Sequence, residues 1–184
     1  MQAMYVDRKE KFCEDVRGLF ASFAGQYVRG ACCIEMAFCG EETMPRFEHP
    51  DLPFVQAMVL ELVLSRAGRV HVVTWMDEDT ECRLLAHPGE TLEWSGSEGE
   101  VSIYRYRRLA EFQRKRIERV DLSVDDAGRI LEIRLQVAGA GIHLLAGEVY
   151  EGRDGRLTVI EGDESVLIFF NDDARGRTRF DTPI

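Results

Sequence analysis

The 184 residues are 45% hydrophobic and 30% charged and carry a net charge of −10. That is long enough to bury one core, and too acidic for general attachment to phosphate backbones or anionic membrane surfaces. No apolar run reaches bilayer length, the opening Asp7-Arg8-Lys9-Glu10 lacks the apolar core of an export signal, and five cysteines (Cys13, Cys32, Cys33, Cys39, Cys82) form no CxxC pair. These features predict a cytoplasmic protein with reduced thiols that binds neither membrane nor nucleic acid.

In chain order, Asp7 to Ala24 is predicted as a helix. Phe12, Val16, Leu19, Phe20 and Phe23 recur at helical spacing, Asp7 and Glu10 suit a capping box, and Gly25 is a natural stop. Ala31 to Cys39 is predicted as a strand, and the prolines Pro45, Pro50 and Pro53 mark a loop. Val55 to Leu64 and Arg69 to Met76 form a hairpin around Ser65-Arg66-Ala67-Gly68, followed by strands at Arg83 to Ala86 and Val101 to Tyr106. A short helix is expected near Leu109, Phe112 and Arg116. A second hairpin, Arg119 to Asp125 with Arg129 to Val137, leads to strands at Ile142 to Tyr150, Arg156 to Ile160 and Ser165 to Phe170. Asn171 to Ile184 is polar and is expected to be a weakly ordered tail.

The pattern of the middle of the chain recurs in its second half. Ala67-Gly68-Arg69 returns as Ala127-Gly128-Arg129, and Leu84-Leu85-Ala86 as Leu144-Leu145-Ala146, in one register. In that register Val73 and Trp75 fall on Ile133 and Leu135, which puts His71, Val73 and Trp75 on the inward face of the first hairpin. Val70 and Val72 then form a second apolar face, expected to lie under the phenylalanine stripe of the helix. The resulting expectation is an α+β fold: an N-terminal helix packed on a mostly antiparallel β-sheet built from two related β-meander units. One domain comprises residues 1–54 (helix, strand and loop), 55–108 (first meander), 117–172 (second meander) and 173–184 (tail).

No nucleophile elbow, phosphate loop or dinucleotide fingerprint is present, and Cys32, Cys33, Cys39 and His49 lack a recognised zinc spacing. Neither a metal nor a cofactor is expected, nor a catalytic residue. The candidate ligand-binding residues are His71, His143, Glu90 and Glu148, because the repeat retains Glu90, Glu93, Glu148 and Glu151 and two carboxylates per unit suit cation binding. The acidic runs Asp77-Glu78-Asp79-Thr80-Glu81 and Asn171-Asp172-Asp173 read as solvated turns.

Arg105 to Arg119 is a basic segment in an acidic chain. Arg105, Arg107, Arg108, Arg114, Lys115 and Arg116 are candidates for contact with an anionic partner or with the acidic surface of a second copy. The functional expectation is a non-enzymatic protein-interaction module, an immunity- or antitoxin-like binder of a basic protein partner. The alternatives are a small-ligand- or metal-binding protein or enzyme with its site between the two β units, and a structural homodimer pairing exposed strand edges.

Overall fold

The computed structural model describes the backbone of residues 2–38, 45–76, 81–93, 102–152 and 156–181, with side chains from residue 11 onward. Helix α1 (Gln2–Ala21) is followed by β1 (Val28–Met36), β2 (Phe54–Leu64), β3 (Gly68–Met76), β4 (Cys82–Pro88) and β5 (Tyr104–Arg108). Next come β6 (Ile117–Val124), β7 (Ile130–Val137), β8 (Ala140–Glu151), β9 (Leu157–Phe169) and α2 (Asp172–Arg177). The helix begins upstream of Asp7, so Asp7 lies inside it rather than at its cap. The expected helix near Phe112 is a turn, with Leu109 and Phe112 fully buried.

Among the described residues, nine strands pair antiparallel in one half-barrel, ordered β4-β3-β2-β9-β8-β7-β6, with β1 on β2 and β5 on β1. Ala57 opposes both Glu35 and Val166, so β2 carries β1 along one edge and shares the other between β9 and β3. The main core combines Leu60, Leu62, Val70, Val72 and Leu84 with Ile130, Ile133, Leu135, Leu144 and Val166. Val16, Phe20 and Phe23 belong to the same cluster. At the other end of the stripe, Phe12 stands edge-on to Trp75 at 5.2 Å.

Two polar contacts fix the helix end. Gln26 Oε1 accepts the backbone N–H groups of Arg66 and Ala67 at 2.9 and 3.0 Å, so one buried amide holds the β2–β3 turn. Arg17 Nη1 donates to Gly128 O at 2.8 Å. Gly128 has φ +76°, a conformation that favours glycine, and a Cβ there would also displace the Arg17 guanidinium from its bond.

The two hairpins share strand order but not register. Leu60 opposes Val72, whereas its sequence counterpart Val120 opposes Leu135 rather than Glu132. Likewise Val72 opposes Ala86, whereas Glu132 opposes Leu145 rather than Ala146. The offsets are three residues and one; side chains alternate with a period of two, so either odd slip turns a strand over. Val70 and Val72 therefore enter the core at 1% and 0% exposure, while His71 and Val73, expected inward, lie half-buried on the opposite face. The segment from Gly89 to Leu92 covers part of that face, with Leu92 N donating to Glu61 Oε2 at 2.8 Å.

Residues 172–181 are anchored. Asn171 Oδ1 caps α2 by accepting from Ala174 N at 2.7 Å, and Asp181 N donates to Val159 O at 2.8 Å.

Candidate functional site

A cleft of about 320 Å³ opens where the two β units meet. Strand β4 brings Cys82 and Arg83, preceded by Glu81, and β7 and β8 contribute Leu131 and Ala146. The rest of the wall is Glu161 and Gly162 of β9 together with Phe180 and Asp181. A bulge shapes this wall: Ala146 opposes Val166 while Gly147 opposes Glu161, so residues 162–165 have no partners on β8 and β9 bends outward. Thr74 Oγ1 donates to Glu164 O at 2.5 Å and ties the bulge back to β3.

Among the described residues, the one cation in the cleft wall is already matched. Arg83 is 6% exposed, and its guanidinium pairs with Glu81, with Asp125 at 3.4 Å and with the Cys82 carbonyl at 3.0 Å. Apart from Glu81, the carboxylates are not paired with a cation. Among the described residues, Glu161 and Asp181 in the wall, and Glu148, Asp163 and Glu164 beside it, form no ion pair with a basic side chain. Burial, with Asp163 and Glu164 adding repulsion, pushes the Glu148 carboxyl up to about 7. Burial and then the same two carboxylates raise the Cys82 thiol, which keeps it protonated and a poor nucleophile. Ser165 Oγ, fully buried next to Glu148, has no well-formed hydrogen bond among the described residues.

His143 occupies a separate and closed network. Its Nδ1 lies 2.5 Å from Glu132 Oε1 and its Nε2 2.9 Å from Asp172 Oδ1. Arg175 donates twice to Glu132 Oε2, and Arg134 twice to Asp172. Burial opposes charge on His143, but the bonds to Glu132 and Asp172 outweigh it and raise the imidazole above its ordinary value. Both ring nitrogens are engaged, which suits an anchor for α2 rather than a ligand site.

His71 Nε2 bonds the backbone carbonyl of Glu90 at 3.0 Å and lies 3.4 Å from Glu61 Oε2, while the Glu90 side chain is exposed. None of the four candidate ligand-binding residues lines the cleft; Glu148 comes nearest, within electrostatic reach of Cys82 in its wall. Glu151 instead pairs with Arg46 at 2.5 Å. The basic segment divides. Arg105 Nε and Arg107 Nη1 donate to the buried Glu35 at 2.6 and 3.0 Å, whereas Arg108 lies on the β5 edge and Arg114 and Arg116 are exposed. Cys32 contacts Glu61 on one face of β1, and Cys33 enters the core on the other. Cys39 and Asp77 to Thr80 fall outside the described residues.

Sequence pattern alone does not single out Arg83, Glu161 or Asp181. A signal for Arg83 does exist: in the repeat register it is the counterpart of His143, and both are buried basic side chains set between two carboxylates. Among the described residues, no group of three His, Cys, Asp or Glu side chains is placed to hold a metal ion. The chain matches no family model, and the comparisons with curated proteins and solved structures found no match.

Proposed function

We propose that this is a cytoplasmic binding protein whose site is the cleft between its two β units. The observation that carries this reading is the cleft itself, with apolar and charged walls drawn from both units and the C-terminal segment. Its volume falls at the small end of the range for pockets that bury small organic ligands, roughly 300–1,000 Å³. Burial and the neighbouring carboxylates raise the Cys82 thiol, which disfavours its use as a nucleophile in this cleft. We further read the units as diverged copies and α1 as a brace between them. The shared strand order of the two hairpins and the corresponding buried basic residues Arg83 and His143 support that history.

The test is a ligand screen by amide NMR on wild type and on Ala146→Trp, which fills the cleft. Hits that shift Cys82, Ala146 and Gly162 in wild type and vanish in the variant support the reading. Hits that persist in the variant sink it.

A homodimer is the second reading. It rests on the exposed Arg114 and Arg116 in a chain of net charge −10, where a basic corner can meet the acidic surface of another copy. Light scattering across a hundredfold concentration range checks it. A mass rising to twice the monomer, and abolished by Arg114→Glu with Arg116→Glu, supports it; a constant monomer mass removes it.

A further inference from the structure

We infer that the cleft takes an organic cation, an alkylammonium or guanidinium group on a short apolar stem. The inference rests on the reading of the cleft as the binding site and adds the chemical class of its ligand.

Three features converge. First, Glu161 and Asp181 line the cleft without a basic partner among the described residues, and Asp163 and Glu164, whose charges reach Cys82 in its wall, have none either. Like charges gathered on a concave surface focus a negative potential that attracts a cation. Second, Arg83 does not offset them, because Glu81 and Asp125 already neutralise it. An anionic ligand would find no unmatched positive charge among the described residues of this wall. Third, Leu131, Ala146 and Phe180 supply an apolar wall that a bare ion cannot use. An ammonium carries three donors and no acceptor, and a guanidinium five and none, which fits a site rich in acceptor oxygens.

The group can arrive on a free amine or on a lysine or arginine side chain of another protein. The two sources share one chemistry at the cleft and separate in the test.

The experiment titrates isotopically labelled full-length protein with four probes: cadaverine, agmatine, glutarate and 1,5-pentanediol. A fifth titration uses a capped Gly-Lys-Gly peptide. The expected result is saturable shifts of Cys82, Ala146 and Gly162 with the two amines. These should weaken as salt is raised and lose about tenfold in affinity in Glu161→Gln with Asp181→Asn, both surface positions. Glu118→Gln, on β6 away from the cleft, should bind as wild type does. Tighter binding of the peptide than of cadaverine assigns the cation to a protein side chain, and the reverse assigns it to a free amine. Saturation of the same amides by glutarate or pentanediol but not by the amines overturns the cation assignment and leaves the cleft reading standing. No response to any probe overturns both.

Discussion

Glu35 accepts the Nε–H of Arg105 at 2.6 Å while its own side chain is 1% exposed. Arg107 completes the pair from the same face of β5 at 3.0 Å. Two of the arginines expected to face a partner therefore neutralise a buried carboxylate of β1. Removing both leaves that charge uncompensated, and the cost of breaking a buried pair in this way is about 3–5 kcal/mol. The double variant Arg105→Ala with Arg107→Ala should lose that stability in urea unfolding, while Arg114→Ala should lose less than about 0.5 kcal/mol. Equal, small effects would return Arg105 and Arg107 to the surface.

The His143 network predicts a dependence on pH. The folded imidazole is raised above its ordinary value of 6.5, so its contribution is whole below that pH and is lost as pH rises through the folded value. Glu132 is lowered instead: burial opposes its charge, but His143 and Arg175 prevail, so its share is whole above 4.5 and is lost as pH falls through its lowered value. His143→Gln should cost about 2–3 kcal/mol at pH 6, and the gap to wild type should narrow at pH 9. A gap constant across that range would show that the imidazolium charge plays no part.

Glu148 acts in the opposite sense to a salt-bridged carboxylate. Its folded value of about 7 lies above the ordinary 4.5, so its favourable contribution is full below pH 4.5 and disappears as pH rises through about 7. A tenfold change in acidity corresponds to about 1.4 kcal/mol, so Glu148→Gln should stabilise the protein at pH 8 by up to about 3 kcal/mol. Thermal unfolding at pH 5 and pH 8 checks this: the variant should gain at pH 8 and little at pH 5.

Gly141 makes room for the ion pair that anchors α2. A Cβ there would sit 2.5 Å from Asp172 Oδ1 and 2.8 Å from Arg134 Nε. Gly141→Ala should displace that pair, at a cost of about 1–3 kcal/mol, and raise hydrogen exchange at Ala174 to Thr178 before it does so elsewhere. Unchanged exchange in α2 would show that the side chains yield without loss.

Local pattern carries much of the architecture. The hairpin at Ser65 to Gly68, the strands ending at Met76 and Val137, and the helix closing before Gly25 all follow from alternation, helical spacing and turn residues. The departures have a common cause. Arg156 to Ile160 and Ser165 to Phe170 are two strands by pattern but one in the fold, β9, because a bulge lets a strand pass through the interruption at Gly162. Analogy with Leu131 places His71 inward, but the register slip between the hairpins turns the first one over. Register is a relation between strands and is not written in either one.

Composition, and residues a few positions apart, are enough to define an acidic, antiparallel sheet protein with a helix bearing a phenylalanine stripe. Which charges are matched is settled only when the chain folds. Arg83 meets Asp125, Glu35 meets Arg105, and His143 meets Asp172 across distances in sequence that no local pattern spans. Electrostatic energy depends on separation in space and on burial, so only the folded chain reveals that Arg105 is neutralised while, among the described residues, Glu161 and Asp181 face the cleft without a cation.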